Sequence, residues 1–123
     1  MSIDIRNMSR TVLPKHPYER IADAVLPGWD VSLVFVGEIR AQRLNKALRK
    51  KDYVPNVLSY ETGTKSGEIL ICLQVAKRQA PEYDMEYKEF VAYLFIHGLT
   101  HLKGQAHGTT MERYERAMLA RFI

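Results

Sequence analysis

The spacing of apolar and polar residues changes along the chain, and its period divides the sequence into strands and helices. Residues 31–36, VSLVFV, are apolar at nearly every position and rich in β-branched and aromatic side chains, which is typical of a strand buried on both faces. Residues 56–60, NVLSY, and 68–73, EILICL, predict two further strands. The polar, glycine-containing ETGTKSG between them indicates an antiparallel hairpin. Residues 3–5 predict a short first strand with a weaker pattern.

The other segments have helical periodicity. Residues 18–26 carry apolar side chains at helical spacing, and residues 74–79 predict a short helix. Residues 38–51 place alanine and leucine on one helix face. The opposite face gathers cations: Arg40, Arg43, Lys46 and Lys50.

Residues 85–103 predict a long helix that is apolar around most of its girth, as expected for the centre of a domain. Asp84 is in position to cap it, and Gly104 can take the left-handed conformation that ends it. Residues 109–112 form a capping-box pattern before a last helix. The buried stripe of that helix is Met111, Tyr114, Met118 and Phe122. We therefore expect one α+β domain over residues 1–123, with a small mixed four-stranded sheet and about five helices.

Composition narrows the class of protein only moderately. The chain has 123 residues, 46% hydrophobic and 26% charged, with a net charge of +4. We expect no membrane span, no secretory signal in the polar N-terminus, and a cytoplasmic location. The single cysteine, Cys72, lies in an apolar run and is expected to be a core residue. The positive charge is a mild bias toward polyanions and does not by itself identify a partner.

Three of the four histidines lie in HGLTHLKGQAHG, residues 97–108. His97 and His101 are four residues apart on the predicted central helix, so their side chains share a face. Gly104 permits a sharp reversal, after which His107 can approach the same point. Three neutral imidazoles leave a fourth zinc position for water, which is the arrangement of a catalytic site. A lone histidine on an apolar helix is usually a core residue, but three around a helix-ending glycine are hard to explain by packing.

The same histidine spacing occurs in metzincin proteases, H-E-x-x-H-x-x-G-x-x-H. Their glutamate is the general base of peptide hydrolysis, and here that position is Gly98. The motif therefore predicts a hydrolytic metal site but argues against peptide bonds as its substrate.

HGLTHLKGQAHG resembles the H-G-x-L-H-L-x-G-Y-D-H signature of the YbeY family, metal-dependent endoribonucleases of bacterial rRNA maturation and ribosome quality control. LNKALRKKDYVPNVLSY, residues 44–60, is similar to the family's leucine-asparagine, arginine and T-[ND]-V-L-S-F run. Gly67-Glu68-Ile69 resembles its glycine-aspartate-isoleucine segment. The resemblance covers most of residues 31–123 in the family's order.

The resemblance implies that His97, His101 and His107 hold one Zn²⁺ per chain and that Arg49 acts at the scissile phosphate. The implied function is zinc-dependent, single-strand-specific cleavage in small-subunit rRNA 3′-end maturation and in ribosome quality control. The implied partners are rRNA and the small ribosomal subunit. The chain departs from the family at several positions: Thr100 replaces leucine, and Glu61 stands where the family usually has proline. Gln105-Ala106 replaces tyrosine-aspartate and removes a carboxylate beside the third histidine.

Several cations and tyrosines are candidates for contacts with RNA, although each also has a simpler structural explanation. Arg43, Lys50 and Lys51 are candidates for flanking phosphates, although an ordinary solvated face has the same pattern. Tyr53, Tyr60 and Tyr83 are candidates for stacking on bases, although tyrosines are more often packed. Two other functions stay open: a non-catalytic, zinc-containing ribosome-assembly factor, and a metallohydrolase of another substrate.

Overall fold

The computed structural model describes residues 2–104 and 108–123. The strands are β1 (Ser2–Asn7), β2 (Asp30–Val36), β3 (Val57–Gly63) and β4 (Ser66–Cys72). The helices are α1 (Tyr18–Val25), α2 (Glu38–Arg49), α3 (Leu73–Gln79), α4 (Tyr87–Leu102) and α5 (Thr109–Phe122). A 3₁₀ turn, Ala80–Tyr83, joins α3 to α4. The four strands and five helices confirm the predicted α+β fold.

The four strands form one mixed sheet in the order β1-β2-β4-β3. β1, β2 and β4 are parallel, and β3 is antiparallel to β4. The predicted hairpin is therefore confirmed. The apolar runs in β2 and β4 are explained by their central places, because such strands are covered on both faces. β3 lies at one edge of the sheet, so its only strand partner within the described residues is β4.

The two faces of the sheet pack against different helices. One face carries Leu33, Phe35, Ile69 and Ile71 and packs against residues of α1 and α4 in the larger core. The other carries Val34, Val36, Leu70 and Cys72 and packs against α2 and α3. Cys72 is buried, as predicted, and burial raises the pKa of its thiol. The sheet thus separates the α4 side of the molecule from the α2 side.

The central helix lies very close to the sheet at one point. A Cβ atom added to Gly98 would be 3.0 Å from Cγ2 of Ile69, in β4. Such a distance is tighter than ordinary van der Waals contact, so glycine is what allows α4 to pack at this depth. Gly104, just past the end of α4, has φ +91, which confirms the predicted left-handed termination.

Two predicted helix caps are wrong. α4 begins at Tyr87 after Glu86 in an extended conformation, whereas Asp84 ends the preceding 3₁₀ turn at φ 54. Residues 80–83 form a turn of their own, which displaces the helix start beyond the reach of Asp84. α5 begins after Gly108 with no side-chain cap hydrogen bond, so the capping box is not formed.

The buried side of α5 is broader than the predicted stripe. Met111 and Leu119 are buried, and Tyr114, Met118 and Phe122 are partly buried. A charged residue, Glu115, lies among them and is 1% exposed. Within the part of the chain that the structure describes, none of the helices has the length and apolar character to span a membrane.

Candidate functional site

Two histidines converge at the C-terminal end of α4. The Nε2 atoms of His97 and His101 are 3.1 Å apart, with their ring planes at 84° to each other. Two nitrogens that lie about 2.0–2.1 Å from one tetrahedral zinc ion are about 3.3 Å apart. The donor atoms and their separation therefore fit a shared zinc ion, as the spacing of four residues on a helix predicts.

The ring of His97 is held from behind by a buried carboxylate. Its Nδ1 is 2.6 Å from Oε2 of Glu115, on α5. An ionised carboxylate at this place would accept from Nδ1–H and leave the lone pair on Nε2, which is the tautomer that metal binding requires. The hydroxyl of Thr100 lies 3.0 Å from the same carboxylate oxygen. A carboxylate that orients a metal-binding histidine in this way is a common device of zinc sites.

The third predicted ligand, His107, lies outside the described residues, as do Gln105 and Ala106. Over residues 2–104 and 108–123, no group of three or more histidine, cysteine, aspartate or glutamate side chains is arranged to hold a metal ion. The complete three-histidine set therefore stays a prediction. His16, the remaining histidine, lies in a loop, as predicted, and its Nε2 is 2.8 Å from the carbonyl oxygen of Lys88.

The histidine pair opens into a cleft of about 480 Å³ between α4 and the edge strand β3. One wall comes from α4, and the other comes from residues 56–59. Arg49, the last residue of α2, also lines the cleft. The structure thus brings the predicted phosphate-binding arginine into one cleft with His97 and His101, although α2 packs on the other face of the sheet.

Arg49 reaches this place because α2 ends beside the start of β3. Lys50 takes the left-handed conformation, φ 57, and ends the helix. Nδ2 of the buried Asn45 donates to the carbonyl oxygen of Tyr53, 3.0 Å away, and so ties the following loop to α2. Arg49, Lys50 and Lys51 are exposed. Their cationic groups are therefore accessible to a ligand at the end of the cleft.

Other candidates lie in different places. Arg43 lines a separate groove together with Met8, Ile39 and Gln74. Tyr60 and Glu68 are hydrogen-bonded to each other on the α2 side of the sheet, away from the histidines. Burial and this hydrogen bond raise the pKa of Tyr60 to about 12. Tyr83 does line the cleft.

Two residues of the site, Glu115 and Tyr93, were missed in the sequence, and the role of a third was not recognised. Glu115 is a carboxylate inside the apolar stripe of α5, and that misplaced charge is the signal that could have revealed it. Tyr93 lines the cleft and stacks on His97 with ring centroids 5.9 Å apart. Burial, followed by the charge of Glu115, raises the pKa of Tyr93. Asn45 was noted only as part of a family resemblance, and its buried amide gives it a structural role.

The position of Gly98 also bears on the protease comparison. A Cβ at position 98 would lie 3.0 Å from Cγ2 of Ile69, so a glutamate there, as in a metzincin, would require Ile69 to shift. The packing at this point therefore favours glycine over the peptide-hydrolysis base.

Comparison with known proteins shows the family to which the chain is similar. The family model for endoribonuclease YbeY matches residues 2–122. The endoribonuclease YbeY of Acidovorax sp. (strain JS42) is 33% identical over 120 residues, which cover 89% of this chain and 79% of that protein. The endoribonuclease YbeY of Thiobacillus denitrificans is 36% identical over 112 residues, which cover 83% of this chain and 76% of that protein.

The fold has a counterpart among solved structures. The solution structure of a Thermotoga maritima protein superimposes with a TM-score of 0.66 at 21% sequence identity, covering 95% of this chain and 86% of that one. This likeness concerns the fold alone. The family match over nearly the whole chain and the identity to these relatives show that the chain belongs to the YbeY endoribonuclease family.

Proposed function

We propose that this protein is a zinc-dependent endoribonuclease that cuts single-stranded rRNA. One observation carries the proposal: Arg49 lines the same cleft as two histidines whose Nε2 atoms are 3.1 Å apart. Two imidazoles placed to bind a cation, in one cleft with an exposed guanidinium, can supply an activated water and stabilise phosphate charge in phosphodiester hydrolysis. The names of the relatives, endoribonuclease YbeY, support the same reaction class.

The metal ligands in this proposal are His97, His101 and His107, with one Zn²⁺ per chain. Imidazole nitrogens suit zinc, and the Glu115 carboxylate orients the ring of His97 through its Nδ1. When bound, zinc lowers the pKa of a coordinated water toward ~7 and so supplies a nucleophile or a base at neutral pH.

Arg49 is the proposed catalytic residue that binds the scissile phosphate. Its guanidinium presents paired N–H donors that match two non-bridging phosphate oxygens, on which charge builds during cleavage. Lys50 and Lys51 follow directly in the chain and are exposed, so they can hold a neighbouring phosphate. Arg43 lines a separate groove and can bind only a more distant part of a long RNA.

The proposed cellular role is maturation of the 3′ end of small-subunit rRNA and ribosome quality control in the cytoplasm, with the small ribosomal subunit as partner. This role rests on the family resemblance and on the net charge of +4, which favours a polyanionic partner.

The test is cleavage of a single-stranded rRNA fragment by the zinc-loaded protein and two variants, Arg49→Ala and His101→Ala. We expect each variant to keep its circular-dichroism spectrum and to lose at least about 100-fold in cleavage rate. Arg113→Ala removes an exposed cation on α5 and is the charge-matched control, with an expected rate close to wild type. Analysis of the product ends separates direct attack of water from attack by the ribose 2′-hydroxyl, which gives a cyclic phosphate.

Three results would contradict the proposal. Wild-type protein that cuts casein but not RNA would be a hydrolase of another substrate. Protein that binds zinc and unfolds on loss of His101, without cutting RNA, would contain a structural zinc site. Equal cleavage by wild type and Arg49→Ala would remove the arginine from the chemistry.

A further inference from the structure

A series of aromatic rings leads from the surface to the histidine pair. We call it the aromatic wall, and it consists of Tyr83, Phe90, Tyr93 and His97. The ring centroids of Tyr83 and Phe90 are 4.8 Å apart, those of Phe90 and Tyr93 are 6.0 Å apart, and those of Tyr93 and His97 are 5.9 Å apart. The last two pairs are nearly parallel, at 16° and 24°. The rings of Phe90, Tyr93 and His97 are therefore roughly parallel, and Tyr83 lies at the other end of the series from His97.

Tyr83 is the exposed end of this wall. It lines the cleft and is 51% exposed, although part of its ring lies against the fully buried Phe90. The backbone around it is fixed, because Asp84 and Met85 donate to carbonyl oxygens of the 3₁₀ turn at 3.1 Å each. A ring that is oriented in advance and half open loses little conformational entropy when a ligand stacks on it. Packing alone does not require a tyrosine to stay this open.

The charges next to Tyr83 and next to Arg49 differ in sign. Tyr83 is flanked in the chain by three exposed acidic residues, Glu82, Asp84 and Glu86. Arg49, by contrast, is followed by Lys50 and Lys51. A phosphate is favoured near Arg49 and disfavoured near Tyr83, whereas an uncharged base can stack on the ring of Tyr83.

We propose that Tyr83 is the stacking platform for one base of a single-stranded RNA, close to the phosphate that Arg49 binds. The inference rests on the proposed ribonuclease function and adds a base-binding subsite to it. A base can stack on the open side of Tyr83 only if it is not held within a duplex, so the subsite also selects single strands.

The first experiment measures binding without cleavage. Zinc-loaded protein is titrated into a fluorescent single-stranded RNA with 2′-O-methyl riboses, and fluorescence anisotropy gives Kd, with the RNA checked for integrity afterwards. We expect Tyr83→Ala to bind about 5- to 10-fold more weakly than wild type, as for loss of one stacked base at a half-open site. Tyr83→Phe keeps the ring and should bind like wild type. Val12→Ala shortens an exposed apolar side chain that is not among the residues lining the cleft, and it should also bind like wild type.

The second experiment separates stacking from a structural role. A set of RNAs, each lacking one base, is titrated into wild type and Tyr83→Ala. We expect one abasic position to weaken binding to wild type and to leave binding to Tyr83→Ala unchanged, because the ring and its base act as a pair. The salt dependence of Kd should be the same for Tyr83→Ala and wild type, whereas Arg49→Ala should reduce its slope by about 0.7 for the lost phosphate contact.

The outcomes distinguish failure of the inference from failure of the proposed function. If Tyr83→Ala binds and cuts RNA like wild type, the inference is overturned while the function stands. If every abasic RNA loses the same factor with both proteins, Tyr83 acts through the fold and the stacking role is also overturned. If wild type neither binds nor cuts single-stranded RNA, both the inference and the function are overturned.

Discussion

Replacement of the buried carboxylate behind His97 tests whether the histidine pair is a metal site. In Glu115→Gln the side chain keeps its volume but loses its charge, so it accepts the Nδ1–H proton of His97 more weakly across the 2.6 Å contact. Loss of such a supporting partner typically weakens metal binding by about 10- to 100-fold. That factor equals about 1.4–2.7 kcal/mol of zinc binding free energy.

The same change should have little effect on the protein without metal. Glu115 is 1% exposed, and glutamine has a similar volume and an oxygen that can still accept from His97 and Thr100, so neither donor is left without a partner. We therefore expect Glu115→Gln to lie within about 1 kcal/mol of wild type in chelator, while losing about 1.4–2.7 kcal/mol of its stabilisation by excess zinc. At about 4 °C per kcal/mol for a chain of this size, the zinc-induced rise in Tm should shrink by about 5–10 °C.

The assay is a competition titration for zinc against a chromophoric chelator, combined with thermal unfolding with and without zinc. Glu112→Gln, an exposed glutamate earlier in α5, is the matched control and should behave like wild type. A Glu115→Gln protein with a zinc Kd within twofold of wild type would refute the reasoning. So would an equal loss of stability with and without zinc, since it would make Glu115 merely structural.

Three further predictions concern the elements that build the cleft. Asn45→Ala removes the hydrogen bond from the buried Asn45 amide to Tyr53 and should lower the free energy of unfolding by about 1–3 kcal/mol in urea titrations. Gln42→Ala loses an exposed hydrogen bond to the same loop and should change that free energy by less than about 0.5 kcal/mol. Equal effects of the two variants would contradict the role of burial. Gly98→Ala should destabilise the fold by about 1 kcal/mol, because the new Cβ contacts Ile69. Helix propensity alone would make this variant more stable than wild type, so a stabilised variant would show that the contact with Ile69 does not restrict position 98. Tyr60 has a raised pKa of about 12, so the stability that its proton confers is complete below about pH 10 and is lost as the pH rises through about 12. The stability difference between wild type and Tyr60→Phe should therefore narrow over that range in alkaline urea titrations, and a constant difference would count against the Tyr60–Glu68 pair.

The hydrophobic pattern was enough for the elements that bury a continuous apolar surface. Residues 31–36 and 68–73 are apolar at most positions, and the structure places residues 31–36 and 68–72 in the two central strands, while Leu73 begins α3. Local sequence signals were less reliable where contacts between distant parts of the chain decide where an element begins or ends. Asp84 has the chemistry of a helix cap, but the 3₁₀ turn between Ala80 and Tyr83 moves the helix start to Tyr87.

The candidate site divides in the same way. His97 and His101 could be paired from the sequence because helix geometry fixes residues four apart. Arg49 lines the same cleft as that pair because of the way α2 and the edge strand β3 pack together, and no local sequence pattern encodes that packing. Glu115 contacts His97 from another helix, so the only sign of it in the sequence is a charged residue within an apolar stripe. The aromatic wall is likewise a product of packing among the 3₁₀ turn and α4.

The most direct test of the account is the cleavage rate of one single-stranded rRNA fragment before metal removal, after removal by chelator, and after return of one equivalent of zinc. The account predicts that cleavage is lost on removal and restored by zinc in wild type, and that His101→Ala with an intact circular-dichroism spectrum stays inactive throughout. Cleavage that persists at the wild-type rate after the metal is gone, or in His101→Ala, would contradict it.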